Sequence, residues 1–263
     1  MRLPVALTIA GSDSGGGAGI QADLKTFAAL GVHGTSAITA ITAQNTMTVT
    51  DIFELPIEMI TAQIEAVVSD LEVRAAKTGM LASSKIIDAV ALAITKHRIT
   101  NLVVDPVMIA KGGARLLRDD AIDSLRRRLI PLATIITPNL PEAAVILGRP
   151  VQTLAERRAA ARDLVALGVQ AAVVKGGHAE GDVTDVYWDG TDMLELTGTR
   201  IPTVNTHGSG CVFSAALAAG LAKGSDALAA VHEAKAFITA AIEDSLEVGR
   251  GHGPVNPMFR IVN

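Results

Sequence analysis

The chain repeats one pattern along its length: a short apolar run, a loop of small or polar residues, and a helix with one apolar face. Residues 5–10, 102–107 and 171–174 are apolar runs of strand length, and such runs are typical of strands buried on both faces of a parallel sheet. Strands that alternate with helices are joined by right-handed crossovers, which place helices on both faces of the sheet. The pattern therefore predicts a three-layer α/β/α fold with a mostly parallel central sheet.

One late pair of runs predicts a different connection. Residues 183–188 and 193–196 flank Asp189-Gly190, and an Asp-Gly pair between two β-rich runs favours a hairpin. We therefore expect a late antiparallel hairpin in the sheet. No low-complexity linker and no repeat of fixed period interrupts the chain, so we predict a single domain over residues 1–263.

Composition excludes several classes of function. The chain has 23 basic and 27 acidic residues, a net charge of −4 and no long block of like charge, which argues against a nucleic-acid-binding protein. The single cysteine cannot form an internal disulfide, which fits a reducing compartment. The sequence has no run of about 20 apolar residues that would indicate a membrane span. We expect a cytoplasmic protein without a membrane partner.

Polar residues follow several predicted strands at the point where each strand ends. Asp105, Asn139, Glu142 and Lys175 hold such positions, and Cys211 follows a later turn. The carboxyl ends of parallel strands meet at one edge of a sheet, where α/β folds bind ligands, so we expect these groups to converge. An acid at a strand end can also be a helix cap or a turn residue, and the convergence is the stronger argument for an active site.

The turn at residues 205–211, rich in small residues, leads directly into an Ala/Leu-rich helix. Gly208 and Gly210 allow backbone conformations in which N–H groups converge, and the start of the following helix adds its unpaired N–H groups and positive dipole end. Such a seat binds anions, most often phosphate. Cys211 lies in the first helical turn, where a thiol is shifted toward thiolate. The simpler interpretations are a plain connection and a buried apolar cysteine.

Gln44 and Asn45 end another predicted strand. Their amides either complete a turn or recognise the edge of a heterocycle, because an amide both donates and accepts hydrogen bonds. The glycine-containing loop at residues 110–114 could be a lid.

Seven segments together are similar to the hydroxymethylpyrimidine/phosphomethylpyrimidine kinases, a family of the ribokinase-like superfamily. They are residues 6–26, 42–46, 77–81, 104–108, 137–143, 175–178 and 205–211. They occur in the order found in the family, and the similarity extends from near residue 5 to Gly253.

The resemblance implies a role for each matching residue. Gln44 would pair with the ring nitrogen and amino edge of an aminopyrimidine. The residues implied beside the ring are Gly11, Asp23, Met80 and Val107. The anion hole for the transferring phosphoryl group would be Gly208, Ser209, Gly210 and Cys211. Asp105 and Glu142 would organise Mg²⁺. The residues implied near the phosphates of ATP are Asn139, Lys175 and Thr206. Most of the wider superfamily has aspartate at the position of Cys211.

The implied activity is ATP-dependent phosphorylation of 4-amino-5-hydroxymethyl-2-methylpyrimidine and then of its monophosphate, in thiamine synthesis. The resemblance also implies a homodimer. A pyridoxal kinase, or an enzyme that accepts both alcohols, is the nearest alternative. A pyrimidine-binding regulator without turnover is a further alternative, which the presence of Asp105, Glu142, Lys175 and the anion hole argues against.

Overall fold

Nine strands form one sheet in the computed structural model, which describes residues 3–109, 113, 116–118, 120–179, 181 and 183–261. The strands are β1 (Val5–Asp13), β2 (His33–Gln44), β3 (Val49–Glu54), β4 (Val73–Thr78), β5 (Leu102–Val104), β6 (Ile135–Ile136), β7 (Ala171–Val174), β8 (Val183–Trp188) and β9 (Met193–Gly198). Their order across the sheet is β3-β2-β1-β4-β5-β6-β7-β8-β9.

The centre of the sheet is parallel, as predicted. β1 pairs in parallel with β2 and β4, and the pairing continues in parallel through β5, β6 and β7. The carboxyl ends of these strands therefore share one edge of the sheet. The loops that carry the candidate site residues leave from that edge.

Both ends of the sheet are antiparallel. β8 pairs antiparallel with β7 and β9, and Gly190 in the β8–β9 connection has a φ of +95°, which confirms the predicted late hairpin. β3 pairs antiparallel with β2, which the sequence did not predict. The turn between β2 and β3 depends on Asn45, whose side chain accepts from the N–H groups of Met47 and Thr48. An asparagine turn of this kind lacks the glycine signal that marks the later hairpin.

Eight helices lie in the described part of the chain. They are α1 (Gly19–Ala29), α2 (Ile57–Val68), α3 (Ser84–Lys96), α4 (Ala121–Ser124), α5 (Leu140–Leu147), α6 (Leu154–Ala166), α7 (Ser209–Lys223) and α8 (Ala227–Glu243). A π turn, Leu125–Leu129, and a 3₁₀ turn, Ile130–Leu132, continue α4. Capping boxes begin α5 and α6, in which Asn139 pairs with Glu142 and Thr153 with Glu156.

Two apolar layers separate the helices from the sheet. One contains Ile60 of α2 and Ile87 of α3, and the other contains Phe27 of α1, Leu217 of α7 and Phe237 of α8. Helices therefore cover both faces, which confirms the predicted three-layer α/β/α fold. Among the described residues, the search for a helix long and apolar enough to cross a membrane found none.

Candidate active site

A cavity of about 340 Å³ opens at the carboxyl edge of the parallel strands. It collects most of the residues that the sequence analysis singled out, from loops far apart in the chain. The predicted residues that line it are Gly11, Gln44, Met80, Asp105, Val107, Asn139, Glu142, Lys175, Thr206, Gly208, Ser209, Gly210 and Cys211. Asp23 is the predicted site residue that does not line it. The candidate lid at residues 110–114 lies outside the described residues except for Gly113.

A second cavity, of about 380 Å³, lies against the first. The two cavities share one wall, formed by Asn139, Lys175, His178, Thr206, Ser209 and Gly210. Gln44 and Cys211 face the first cavity, whereas Asp185, Arg200 and Lys235 line the second. Two molecules in these cavities would therefore meet at Lys175 and the start of α7.

Lys175 and Asp105 form an ion pair at this junction. Lys175 Nζ lies 3.1 Å from Asp105 Oδ1, and the side chains are 17% and 2% exposed, respectively. Ser214 Oγ donates to the other carboxylate oxygen, at 3.2 Å. Burial alone would raise the pKa of Asp105, but the charges of Lys175 and Lys77 and these hydrogen bonds outweigh it and lower the pKa. Asp105 is therefore an anion that keeps Lys175 in place.

The start of α7 provides an anion seat. Gly208 adopts the left-handed conformation, with a φ of +76°, and a Cβ there would overlap the carbonyl oxygen of Gly17. The Ser209 N–H donates to Thr206 O. Among the described residues, no protein group accepts from the N–H groups of Gly208, Gly210 and Cys211, as expected for the start of a helix. Within the predicted Gly208–Cys211 hole, the N–H group already in use is therefore that of Ser209.

Gly210 also places the lysine beside this seat. A Cβ on Gly210 would lie 3.3 Å from Lys175 Nζ and 3.6 Å from Asp105 Oδ2. The free N–H groups at the start of α7, the helix dipole and an ammonium group therefore lie together. That combination favours a phosphate group. We call it the phosphate cradle: Gly208, Ser209, Gly210, Cys211 and Lys175.

Glu142 and Asn139 line the cavity and are also joined by two hydrogen bonds. Glu142 Oε2 accepts from the Asn139 N–H at 2.7 Å, and Asn139 Oδ1 accepts from the Glu142 N–H at 2.9 Å. Burial, aided by repulsion from Asp105 and opposed by Lys175, raises the pKa of Glu142 to about 7. The sequence analysis placed both residues at the site but predicted no helix after them.

Cys211 differs from the expectation. Burial raises the pKa of its thiol to about 11, although the charge of Lys77 and an N–H of Gly19 favour the thiolate. The predicted shift toward thiolate is therefore wrong: the helix start is too weak to offset removal of the sulfur from water. At neutral pH, Cys211 is a neutral thiol.

Asp23 lies behind the cavity wall. Its carboxylate is completely buried, lies 2.9 Å from Lys77 Nζ and accepts from Thr8 Oγ1 at 2.6 Å. The implied contact of Asp23 with a ring is therefore corrected: the residue anchors Lys77, which itself lines the cavity. Burial would lower the pKa of Lys77, but the charge of Asp23 outweighs it and raises the pKa. Lys77 was not among the predicted site residues. A lysine beside Ala75 and Ala76 in a short strand does, however, indicate a buried charge that needs a partner.

Asp13 and His207 were also missed as a pair. His207 Nε2 lies 2.8 Å from Asp13 Oδ2, both side chains are nearly buried, and both residues line the cavity. The imidazole is also 3.4 Å from the Gln44 amide. No spacing in the sequence indicates this contact, because the two residues are 194 positions apart.

The chain is similar in sequence and in fold to small-molecule kinases. Residues 13–256 match the family model described as phosphomethylpyrimidine kinase. The chain is 51% identical to the hydroxymethylpyrimidine/phosphomethylpyrimidine kinase of Rhizobium meliloti, over 97% of each chain. It is 49% identical to the enzyme of the same name from Bacillus subtilis, over 97% of this chain and 95% of the relative. A Bacillus subtilis pyridoxal kinase, solved as an ADP complex, superposes with a TM-score of 0.93 at 41% identity over the whole of both chains.

Proposed function

The chain belongs to the phosphomethylpyrimidine kinase family, and from this premise we propose that it transfers the γ-phosphoryl group of ATP to 4-amino-5-hydroxymethyl-2-methylpyrimidine and then to its monophosphate, in thiamine synthesis. The observation that supports this most directly is the pair of cavities that share Lys175 and the start of α7. A kinase needs two binding sites that meet at a seat for the transferred group.

The pyrimidine alcohol belongs in the first cavity and ATP in the second. The first cavity holds Gln44, whose amide offers a donor and an acceptor to a heterocycle. The second is lined by Arg200 and by Lys235, which is paired with Asp185, and it joins the cradle. The relation to a kinase solved with ADP supports the same assignment of nucleotide as donor.

The residues of the cradle account for the chemistry. The alcohol oxygen forms a bond to the γ-phosphorus, the bond from that phosphorus to the ADP oxygen breaks, and the alcohol proton passes late in the step to an oxygen of the transferred phosphoryl group and from there to water. Lys175 and the N–H groups of Gly210 and Cys211 stabilise the charge on the phosphoryl oxygens. Because Cys211 is a neutral thiol, it carries no negative charge that could accept the alcohol proton at the start of the reaction. A loose transition state needs little assistance from a base.

The donor set at the junction fits Mg²⁺. Mg²⁺ keeps several waters and takes one or two carboxylates together with substrate phosphates, and Asp105 and Glu142 supply two carboxylates on the cavity wall. Burial and the charge of Asp105 raise the pKa of Glu142 despite Lys175, so a cation beside it would favour its ionised form. Glu142 and Asp105 would hold the ion through their carboxylate oxygens. When bound, Mg²⁺ neutralises charge on the nucleotide phosphates.

A coupled assay of ADP release tests the proposal. Purified protein with ATP, Mg²⁺ and either the pyrimidine alcohol or its monophosphate should release ADP at a rate that depends on the pyrimidine. Absence of pyrimidine-stimulated ADP release with both acceptors would refute it.

Pyridoxal is the second candidate acceptor, because the chain superposes with a pyridoxal kinase along its whole length. The ratio of kcat/KM values for the pyrimidine alcohol and for pyridoxal decides between the two. A ratio above 1 is expected. A ratio below 1 would make pyridoxal phosphorylation the main activity.

We also propose a homodimer in the cytoplasm. The edge formed by β2 and β3 supports a dimer: Ile41 and Phe53 lie directly opposite each other and are 49% and 65% exposed. Sedimentation equilibrium of the wild type and of Phe53→Asp tests it. A wild type that sediments as a monomer would refute the dimer.

A further inference from the structure

The side chain of Lys175 leaves the backbone between two peptide groups, and each of these is fixed by a hydrogen bond. The Lys175 N–H, in the peptide group before the side chain, donates to Pro138 O at 2.8 Å. The Gly176 N–H, in the peptide group after it, donates to Asp185 Oδ1 at 2.7 Å. Because peptide groups are planar, the orientations of these two groups determine the direction in which the lysine side chain points.

Asp185 is a buried residue of β8, the strand that pairs antiparallel with β7. It is 5% exposed, and a carboxylate in such a place is stable only when its oxygens have partners. One oxygen accepts from Gly176, and the other lies 2.6 Å from Lys235 Nζ of α8. The ion pair with Lys235 therefore keeps a charged acceptor beside the Gly176 N–H, and hydrogen bonds to charged acceptors are stronger than those to neutral ones.

Gly176 is also in contact with the residue that precedes Asp185. A Cβ on Gly176 would overlap the carbonyl oxygen of Thr184. That oxygen accepts from Arg157 Nη1 at 3.1 Å, and Arg157 is 7% exposed. Two successive residues of β8 therefore contact the turn after Lys175, one through its backbone and one through its carboxylate.

The ammonium group of Lys175 has a narrow place to occupy. Its Nζ lies 3.1 Å from Asp105 Oδ1 and 3.3 Å from where a Cβ on Gly210 would stand. A rotation of the backbone is amplified along a four-carbon side chain, so a change at Gly176 moves Nζ relative to the start of α7. A displacement of about 1 Å at reacting groups can lower a rate by about 100-fold.

We propose that Asp185 is a positioning residue for phosphoryl transfer: it fixes the Gly176 peptide group and thereby directs Lys175 into the phosphate cradle. The inference rests on the proposed function, since it concerns the same transfer step. It also gives the antiparallel hairpin a role in the site. The cradle is built at the edge of the parallel strands, and β8 supports the lysine that completes it.

Replacement of Asp185 tests this role by ADP release with ATP, Mg²⁺ and the pyrimidine alcohol, with a melting temperature for each variant. Asp185→Ala and Asp185→Leu remove the acceptor, and leucine fills the space that alanine leaves. Each should lower kcat by about 10- to 100-fold. Asp185→Asn keeps an oxygen for the Gly176 N–H and loses only the charge, so its kcat should stay within about threefold of the wild type.

A second background separates the effect through Lys175 from any other effect. Asp185→Ala also removes the partner of Lys235, which lines the second cavity, so a change in KM for ATP does not report on Lys175. In the Lys175→Met background, Asp185→Ala should lower kcat by less than about twofold, because the residue that it positions is already gone. A merely structural residue would lower kcat by the same factor in both backgrounds.

Two further variants make the comparison specific. Asp226→Ala is the matched control: Asp226 Oδ1 accepts from the Ala229 N–H at 2.8 Å, but it does so at the exposed start of α8. This variant should lower the melting temperature and leave kcat unchanged. Gly176→Ala displaces the same turn from the side of Thr184 and should lower kcat as Asp185→Ala does.

The outcomes distinguish failure of this inference from failure of the proposed function. If folded Asp185→Ala and Asp185→Leu keep the kcat of the wild type, or lose as much in the Lys175→Met background, Asp185 does not position Lys175 and the proposed function stands. If neither variant folds, a wild-type kcat in Gly176→Ala overturns the inference. If the wild type releases no ADP with the pyrimidine alcohol, its monophosphate or pyridoxal, the proposed function is wrong and the inference falls with it.

Discussion

Two lysine–aspartate pairs lie near the candidate active site, and they differ in their access to water. Lys77 and Asp23 are both fully buried, with 2.9 Å between Nζ and Oδ2. Lys175 and Asp105 are 3.1 Å apart, and the lysine opens onto the cavity. Similar geometry therefore serves two purposes: the buried pair fixes the wall behind Cys211, and the open pair delivers a positive charge to the cradle.

Burial determines what each pair costs to break. Removal of Lys77 from the buried pair leaves Asp23 without a counter-charge in a region without water. Removal of Lys175 from the open pair leaves Asp105 with contacts from the hydroxyl groups of Thr137 and Ser214 and with the charge of Lys77 nearby. Stability should therefore depend on Lys77, and catalysis on Lys175. The following variants test this difference between the two pairs, from the largest expected effect to the smallest.

Lys77→Met should have the largest effect, because it leaves the buried Asp23 carboxyl without its counter-charge. We expect a loss of about 3–5 kcal/mol in the free energy of unfolding, measured by urea denaturation. The double variant Asp23→Leu/Lys77→Met should recover most of that loss, since both charges are gone. A stable single variant, or a double variant no more stable than the single, would contradict the assigned role of the pair.

Lys175→Met should lower kcat by about 10²–10³-fold, because it removes a charge that faces the transferring phosphoryl group. Its melting temperature should fall less than that of Lys77→Met, because Asp105 keeps hydrogen bonds and the charge of Lys77. Lys96→Met, which removes an exposed ion pair with Glu65, serves as the control and should change neither quantity appreciably. A kcat for Lys175→Met near that of the wild type would remove Lys175 from the cradle.

Glu142 lies near the open pair, and its titration should make the stability of the protein depend on pH. Folding raises its pKa from 4.5 to about 7, so it contributes stability that is complete below its unfolded pKa and is lost as the pH rises through about 7. Glu142→Gln lacks this loss. Relative to the wild type, it should gain about 2 kcal/mol in stability between pH 5 and pH 8.

Glu156→Gln is the matched control for Glu142→Gln. Glu156 holds the same position in the capping box of α6, but it is exposed and its pKa is lowered by hydrogen bonds from the backbone of Thr153 and Gln152. It should therefore show no gain at pH 8. Equal gains in the two variants would show that the effect belongs to the capping box and not to burial.

Cys211→Ala should have the smallest effect, a loss in kcat of less than about tenfold, because a thiol with a raised pKa is not the proton acceptor before the reaction. Gly210→Val, which pushes a side chain toward Lys175 Nζ, should lose far more. Comparable kcat values for the two variants would contradict this ranking.

The sequence predicted those parts of the site that depend on residues close together in the chain. Strands β5, β6 and β7 are apolar runs that end in Asp105, Asn139 and Lys175, and parallel pairing alone brings such ends to one edge. The turn before α7 was recognisable because Gly208 and Gly210 stand where a helix begins.

The sequence did not predict properties that depend on partners from distant segments. Asp23 lies off the apolar stripe of its helix, and only Lys77, 54 positions later, explains its burial. The thiol of Cys211 follows the same rule: the position at a helix start suggested a lowered pKa, but the surrounding packing raises it. Burial depends on the assembled fold, so it cannot be predicted from any single segment of the sequence.

The contact between Asp13 and His207 has a consequence for how the cavity is completed. The turn that holds His207 is itself supported by Gly253 and Val255, through backbone hydrogen bonds of 3.1 Å each. The first loop of the chain is therefore held in place by segments about 190 and 240 positions later, so the wall of the cavity at Asp13 is complete only when Gly253 and Val255 have folded against the His207 turn.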